Sequence, residues 1–169
     1  MIEEKTIGFE WCLEVVNADG TVASRDIQQN LIPTDGLDFL LRSPFGDVST
    51  VSRFYLGLYR GNYIPSPGAK SSDIPGNMLE FVDYAESTRP EWRRAHTGPG
   101  SLDNIGDKAE YTVTQDRTLY GAFLVSDNIK GEGNGLLLSC VRWPSPKEVT
   151  TGQTIRLSGG LTYTSSSII

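Results

Sequence analysis

The stretch Phe9-Glu-Trp-Cys-Leu-Glu-Val15 decides the fold class, because its side chains alternate between apolar and polar. A period of two residues is that of a β-strand with one buried face. The turn Asn17-Ala-Asp-Gly20 follows this stretch, and an Asp-Gly pair tolerates the positive φ that tight hairpin turns require. Residues 21–32 are therefore predicted to return as an antiparallel strand that ends near Asn30.

One short helix is predicted after this hairpin. Leucines at helical spacing lie between Pro33 and Pro44 and predict a helix near residues 35–42. Thr34 or Asp35 is available as the N-cap, since both side chains can accept a hydrogen bond from the first helical turn.

A strand and a long loop are predicted next. Residues 53–59 alternate with apolar side chains on both faces, which predicts a strand at the centre of its sheet. Residues 60–76 are rich in proline and glycine and show little periodicity, so we expect a long surface loop. Loops of this length in compact domains are usually functional, which makes a binding role worth testing. Residues 78–84 fit either a helical turn or a strand.

The second half of the chain is predicted to be a series of short strands separated by turns. Pro90 restricts the first of them to an edge position or places Pro90 at the start of the strand. Pro144 and Pro146 are expected to end the fourth, and Gly159-Gly160 suggests a bulge or kink in the last. Residues 98–106 are predicted to be a loop. The predicted strands cover residues 88–94, 109–114, 118–125, 136–143 and 154–164.

Together these patterns predict an all-β protein, an antiparallel β-sandwich or jelly roll of about 7–9 strands with one short helix. We expect one domain over residues 1–169, with extended N- and C-terminal arms. The 169 residues carry 15 basic and 21 acidic side chains, a net charge of −6. This charge repels phosphate backbones and anionic lipids, so neither nucleic acid nor a membrane is an expected partner. The sequence shows no membrane-spanning run and no signal-peptide core.

No pattern predicts catalytic residues, a metal site or a cofactor, so we expect a protein that is not an enzyme. Cys12 and Cys140 have no neighbouring cysteine and are interpreted as free thiols, with a disulfide between them as the alternative. His96 is the only histidine and is predicted to lie on the surface. The glycines of residues 131–135 are interpreted as a hairpin tip, because a phosphate loop would need a helix after it.

The acidic and aromatic side chains leave alternatives open. A carboxylate pair is the minimum for glycoside hydrolysis, but in a chain with so many acids we interpret the acidic stretch as surface residues. Its members are Glu80, Asp83, Glu86 and Glu91. Tyr63 and Trp92 are the aromatic side chains expected to be exposed, where they could stack on a sugar or contact a partner, whereas Trp11 and Trp143 are predicted to pack in the core.

Five segments resemble small structural proteins of tailed-bacteriophage virions, in particular capsid decoration or cement proteins. The resemblance extends over about residues 19–166 and rests on strings that form strands and turns. The segments are Asn30-Leu-Ile-Pro-Thr-Asp-Gly-Leu-Asp-Phe-Leu-Leu41, Phe54-Tyr-Leu-Gly-Leu-Tyr-Arg-Gly-Asn-Tyr-Ile-Pro65, Thr88-Arg-Pro-Glu-Trp92, Thr118-Leu-Tyr-Gly-Ala-Phe-Leu124 and Ser145-Pro-Lys-Glu-Val-Thr-Thr-Gly152.

The resemblance implies a structural role without site chemistry to transfer. It implies the major capsid protein as partner and a location on the outer capsid surface of the virion after synthesis in the host cytoplasm. Open sheet edges and symmetric lattice sites favour self-association as a dimer or trimer. The candidate partner contacts are Tyr63, Trp92, Ile168 and Ile169. The alternatives are a tail or fibre component that contacts the host, a carbohydrate-binding module and, behind these, a hydrolase.

Overall fold

The computed structural model describes residues 7–163. Over this range the chain forms nine strands, one α-helix, a 3₁₀ turn at Ser43–Phe45 and a π-helical turn at Ile74–Met78. The strands and the helix are β1 (Gly8–Val16), β2 (Val22–Asn30), α1 (Thr34–Arg42), β3 (Tyr55–Tyr59), β4 (Ala95–Gly98), β5 (Ser101–Asp103), β6 (Ala109–Thr112), β7 (Arg117–Val125), β8 (Leu137–Val149) and β9 (Thr154–Thr162).

The strands form two antiparallel sheets, which confirms the predicted β-sandwich class. The larger sheet has the order β2-β1-β9-β5-β4, and β6 pairs with the other half of the β9 edge that β5 occupies. The smaller sheet has the order β3-β7-β8. None of the helices within residues 7–163 is long and apolar enough to cross a membrane.

The main core lies between the two sheets. The apolar face predicted for β1 is fully buried there, and Trp11 donates a hydrogen bond from Nε1 to Ser139 Oγ of β8 at 3.3 Å. A second buried cluster lies on the opposite face of the smaller sheet, where Ile74 and Met78 pack with Tyr59, Phe123 and Cys140. Both faces of the smaller sheet are therefore covered, which explains the apolar side chains on both faces of β3.

The predicted central position of β3 is wrong, because β3 is the edge of a three-stranded sheet. Its outer edge meets two isolated β-bridges, Tyr55 with Glu91 and Tyr59 with Glu80. In the undecided segment 78–84, Met78 ends the π-helical turn and the later residues contribute single bridges, so the segment forms neither an α-helix nor a strand.

The predicted helix is confirmed, but neither proposed N-cap makes a capping bond. The cap position belongs to Pro33, whose side chain makes no hydrogen bond. The N–H of Thr34 instead donates to the carbonyl oxygen of Pro67 in the long loop at 2.9 Å. A distant loop therefore satisfies the first helical donor.

The strand break predicted at Pro144 and Pro146 is wrong, because β8 continues to Val149. Leu119 lies opposite Lys147 while Gly121 lies opposite Arg142, so the prolines fall in an irregular part of the ladder. Proline is tolerated there because a bulged residue need not donate to the neighbouring strand.

The bulge predicted at Gly159-Gly160 is also wrong. Both glycines pair in regular register with β1, Gly159 opposite Trp11 and Gly160 opposite Glu10. A Cβ atom on Gly159 would lie 2.3 Å from Cε1 of Phe9, and one on Gly160 would lie 2.8 Å from Cβ of Asp103. Close packing therefore requires glycine at these positions.

Residues 88–94 form a single bridge at Glu91 and not the predicted strand, while the predicted loop 98–106 contains β5. The hairpin of β4 and β5 begins at Ala95, after the buried Trp92. Between β5 and β6 the buried Asn104 continues the contact with β9 by accepting from the N–H of Gly159 at 2.8 Å and donating to the carbonyl of Leu157 at 3.4 Å.

Candidate partner-binding surface

Residues 60–79, which we call the platform, cover the outer face of the smaller sheet. Tyr63 lies half-buried near its start, with its ring edge-on to Tyr59 at a centroid distance of 6.1 Å. The Tyr63 hydroxyl donates to Asp73 Oδ2 at 3.2 Å. Burial and the Asp73 charge raise the pKa of Tyr63 to about 12, so the phenol remains protonated at neutral pH.

Asp73 organises the rest of the platform. Its carboxylate also accepts from the backbone N–H of Lys70 at 2.9 Å and from Nδ2 of Asn77 at 2.7 Å. Arg142 of β8 donates to the carbonyl oxygen of Tyr63 at 3.1 Å, which links the platform to the sheet. Ser71 donates to the carbonyl oxygen of Gly135 at 2.7 Å. The platform is therefore a pre-ordered surface and not a free loop.

Ile64 is the most exposed large apolar side chain of the platform. Its exposed fraction is 74%, although its neighbour Tyr63 is tied down by two hydrogen bonds and a ring contact. An apolar side chain on an ordered loop loses little conformational entropy on entering an interface, because the loop has already been fixed by folding. The sequence predicted a binding role for this loop and selected Tyr63 as the contact. In the structure Tyr63 is half-buried, and its hydrogen bonds and ring contact hold the loop in place.

Trp92 is not exposed, so its predicted stacking role is wrong. Only 2% of its surface is accessible, its ring packs on Phe9 at 5.7 Å, and its Nε1 donates to the carbonyl oxygen of Gly159 at 2.9 Å. Pairing of Glu91 with Tyr55 directs the next side chain into the sandwich. The other two predicted contacts, Ile168 and Ile169, lie outside the described residues.

The acidic stretch contains a feature that the sequence did not predict. Glu80, interpreted as a surface acid, is buried and accepts two hydrogen bonds from the buried Arg89, both at 2.8 Å. Arg89 also donates to the carbonyl oxygens of Asp127 at 2.8 Å and Glu132 at 2.7 Å in the loop between β7 and β8. That loop joins two paired strands, as predicted for the glycine-rich turn. The one sequence signal for a buried Glu80 is its position between Met78 and Phe81.

A polar groove of about 1050 Å³ lies beside this ion pair, between the 86–93 segment and residues 105–110. Its walls carry basic and acidic side chains that pair with one another. The pairs are Arg53 with Glu91 at 4.0 Å, Arg93 with Asp107 at 3.5 Å and Arg156 with Glu110 at 2.9 Å. The walls are thus charged locally but close to neutral as a whole.

The thiols and the histidine do not converge on a site. Cys12 is half-buried in β1, Cys140 is buried in β8, and both are free. Burial raises the pKa of the Cys140 thiol to about 12, which keeps it protonated. His96 is exposed in β4, as predicted. Within residues 7–163 no three histidine, cysteine or acidic side chains cluster in a way that could hold a metal ion.

Comparison with known proteins adds no relative. No protein-family model matches the sequence, and no curated protein matches it significantly.

Proposed function

We propose that this chain is a structural protein of a tailed-phage virion, a capsid decoration protein that binds the major capsid protein lattice from outside. The proposal is supported by the resemblance of five segments to such proteins and by the sandwich fold that the resemblance implies. The net charge of −6 suits a protein on the outer capsid surface, away from the packaged DNA.

The observation that carries the proposal is the exposed Ile64 on the ordered platform. Protein interfaces gain most of their affinity from a few well-placed side chains that lose contact with water on binding. The hydrogen bonds around Tyr63 and Asp73 hold such a side chain in place before any partner arrives. The platform is therefore the proposed lattice contact, and Tyr63 is a positioning residue within it.

A protein that binds the assembled lattice and not the disassembled subunits stabilises the lattice by mass action. Capsids filled with DNA and stripped of the protein are heated with and without added protein, and DNA release is followed by dye fluorescence. We expect release at a higher temperature when the protein is bound. Equal release temperatures, with bound protein shown by sedimentation, would exclude the stabilising role.

The carbohydrate-binding alternative has weaker support. It depended on two exposed aromatic rings, of which Trp92 is buried and Tyr63 is engaged with Tyr59 and Asp73.

A further inference from the structure

The polar groove exists because residues 85–98 leave the larger sheet next to β6 and return to it as β4. Near its start the segment pairs with the end of β6, where the N–H of Ala85 donates to the carbonyl oxygen of Thr112 at 3.0 Å. Further along it forms β4 and pairs with β5. Between these two points it pairs with β3 through Glu91. The groove of about 1050 Å³ occupies the gap that this detour leaves next to β6.

The edge of β6 that borders this gap has free backbone groups. The backbone N–H and C=O of Thr112 point away from β9. The carbonyl oxygen accepts from the N–H of Ala85, and the N–H donates to the Glu86 carboxylate at 3.0 Å. Residues two apart in a strand face the same side, so the N–H and C=O of Glu110 also face away from β9. Within residues 7–163 neither of these groups of Glu110 has a hydrogen-bond partner, although Glu110 lines the groove.

The opposite wall has a matching backbone donor. The bonds from Leu56 N to Pro90 O at 2.9 Å and from Trp92 N to Phe54 O at 2.8 Å use the groups that face β3. The N–H of Glu91, between them, therefore points away from β3, and Glu91 lines the groove. The groove thus lies between two strand-like edges with unpaired backbone groups.

The side chains of the walls determine which ligand fits. Two glutamates of the walls are paired with arginines, Glu110 with Arg156 and Glu91 with Arg53. A strongly charged ligand would have to break these pairs, whereas an extended polypeptide with alternating charges can join them. A backbone with donors and acceptors at strand spacing also matches the free groups of β6, which a sugar does not.

We propose that the groove receives an extended segment of the capsid protein, whose backbone pairs with the free N–H and C=O of Glu110 in β6. The identity of this partner rests on the proposed function, but the binding of an extended peptide does not. The contact would be a second attachment, separate from the platform.

The test selects binders from a displayed library of random linear peptides with the full chain as target. We expect an enriched peptide to slow hydrogen exchange at the Glu110 and Glu91 amides. Methylation of the one peptide nitrogen that pairs with β6 should weaken binding by about tenfold, the effect of a lost hydrogen bond in a desolvated site. This variant changes only the peptide, so the fold of the protein is not at risk.

Variants of the protein provide the reciprocal test. Glu110→Pro removes the N–H that points away from β9, and edge strands tolerate such a proline. This variant should weaken peptide binding by about tenfold. Glu110→Ala keeps the N–H and should bind with a smaller loss. Circular dichroism establishes that both variants are folded.

Several results would overturn the proposal. These are enriched peptides that leave the Glu110 amide unprotected, a Glu110 amide already protected in the unbound full chain, or a neutral glycan that protects the groove in place of any peptide. Failure to bind capsids with peptide binding intact would instead contradict the proposed function and leave the groove site standing.

Discussion

Arg89 and Glu80 form a bidentate ion pair in which both side chains are buried, with Nε–Oε1 and Nη2–Oε2 distances of 2.8 Å. The guanidinium also lies over the Phe123 ring at 5.3 Å. Through its bonds to Asp127 and Glu132, Arg89 ties the loop between β7 and β8 to the segment that follows the platform. One side chain thus holds two distant parts of the chain at the groove.

Removing one partner of this pair should strongly destabilise the protein. Arg89→Met leaves Glu80 buried without its cation, and we expect a loss of about 3–5 kcal/mol in the free energy of unfolding. Urea denaturation measures it. Adding Glu80→Leu should recover part of that loss. The matched control is Arg156→Met, which breaks an exposed pair with Glu110 and should cost less than about 1 kcal/mol. Equal losses for Arg89→Met and Arg156→Met would contradict the role assigned to the buried pair.

The packing of Gly159 against Phe9 predicts a second stability effect. Gly159→Ala places a methyl group where the Phe9 ring lies, and we expect a loss of about 1–3 kcal/mol from overpacking. Gly8→Ala is the control, because nothing lies within 4 Å of its Cβ position. Thermal and urea unfolding of the two variants should therefore differ clearly. If both variants are as stable as the parent, close packing is not the reason for glycine at position 159.

The two cysteines should differ in reactivity. Cys140 is buried, while Cys12 is half-exposed in the outer face of β1, so a thiol reagent should modify Cys12 in the native protein and both residues in urea. The folded-state pKa of Cys140 is raised to about 12 from 9. The buried Cys140 thiol therefore contributes fully to the free energy of unfolding below pH 9. This contribution is lost as the pH rises through 12. Cys140→Ala should reduce the loss of stability between pH 9 and 12. Rapid modification of Cys140 in the native protein would contradict its burial.

The local parts of the fold could be predicted from the sequence, because they depend on neighbouring residues. The β1–β2 hairpin follows from strict alternation and an Asp-Gly turn, and α1 follows from leucine spacing. The burial of Trp92 and of Arg89 could not be predicted, since it depends on pairing with β3 and on carbonyl groups more than thirty residues away. The continuation of β8 past Pro144 and Pro146 also could not be predicted, because it depends on pairing with β7.

The candidate site was predicted in outline only. Proline and glycine content predicted an irregular loop over residues 60–76, but the hydrogen bonds that order it converge on Asp73 from three side chains or amides. Sequence alone cannot show which residue of such a loop points outward. Tyr63 was therefore chosen where Ile64 is the exposed side chain.

The positioning role of Tyr63 predicts a partial effect on attachment. Tyr63→Phe keeps the ring contact with Tyr59 but loses the bond to Asp73, so we expect weaker capsid binding with nearly unchanged stability. Tyr63→Ala loses both contacts and should bind more weakly still. Sedimentation of capsids with each variant measures the occupancy, and urea unfolding controls for stability. Full occupancy with Tyr63→Ala would show that the platform needs no such support.

The sequence predicts a separate contribution of Ile168 and Ile169 to occupancy. Ile168 and Ile169 are apolar residues at the end of the chain, and we expect their joint replacement by serine to lower capsid occupancy with the β-sheet circular dichroism unchanged. Size-exclusion chromatography with light scattering reports whether self-association is lost at the same time. Unchanged occupancy and unchanged mass would remove these two residues from the set of partner contacts.

The most direct test of the proposed function is saturation binding of the full chain to undecorated capsids, compared with two matched variants. Ile64→Ser removes the most exposed large apolar side chain of the platform, and Ile129→Ser removes another exposed isoleucine, 53% accessible, in the loop between β7 and β8. We predict saturable binding by the parent, about tenfold weaker binding by Ile64→Ser and unchanged binding by Ile129→Ser. Absence of saturable binding by the parent, or equal affinity of the parent and Ile64→Ser, would contradict attachment to the capsid through the platform.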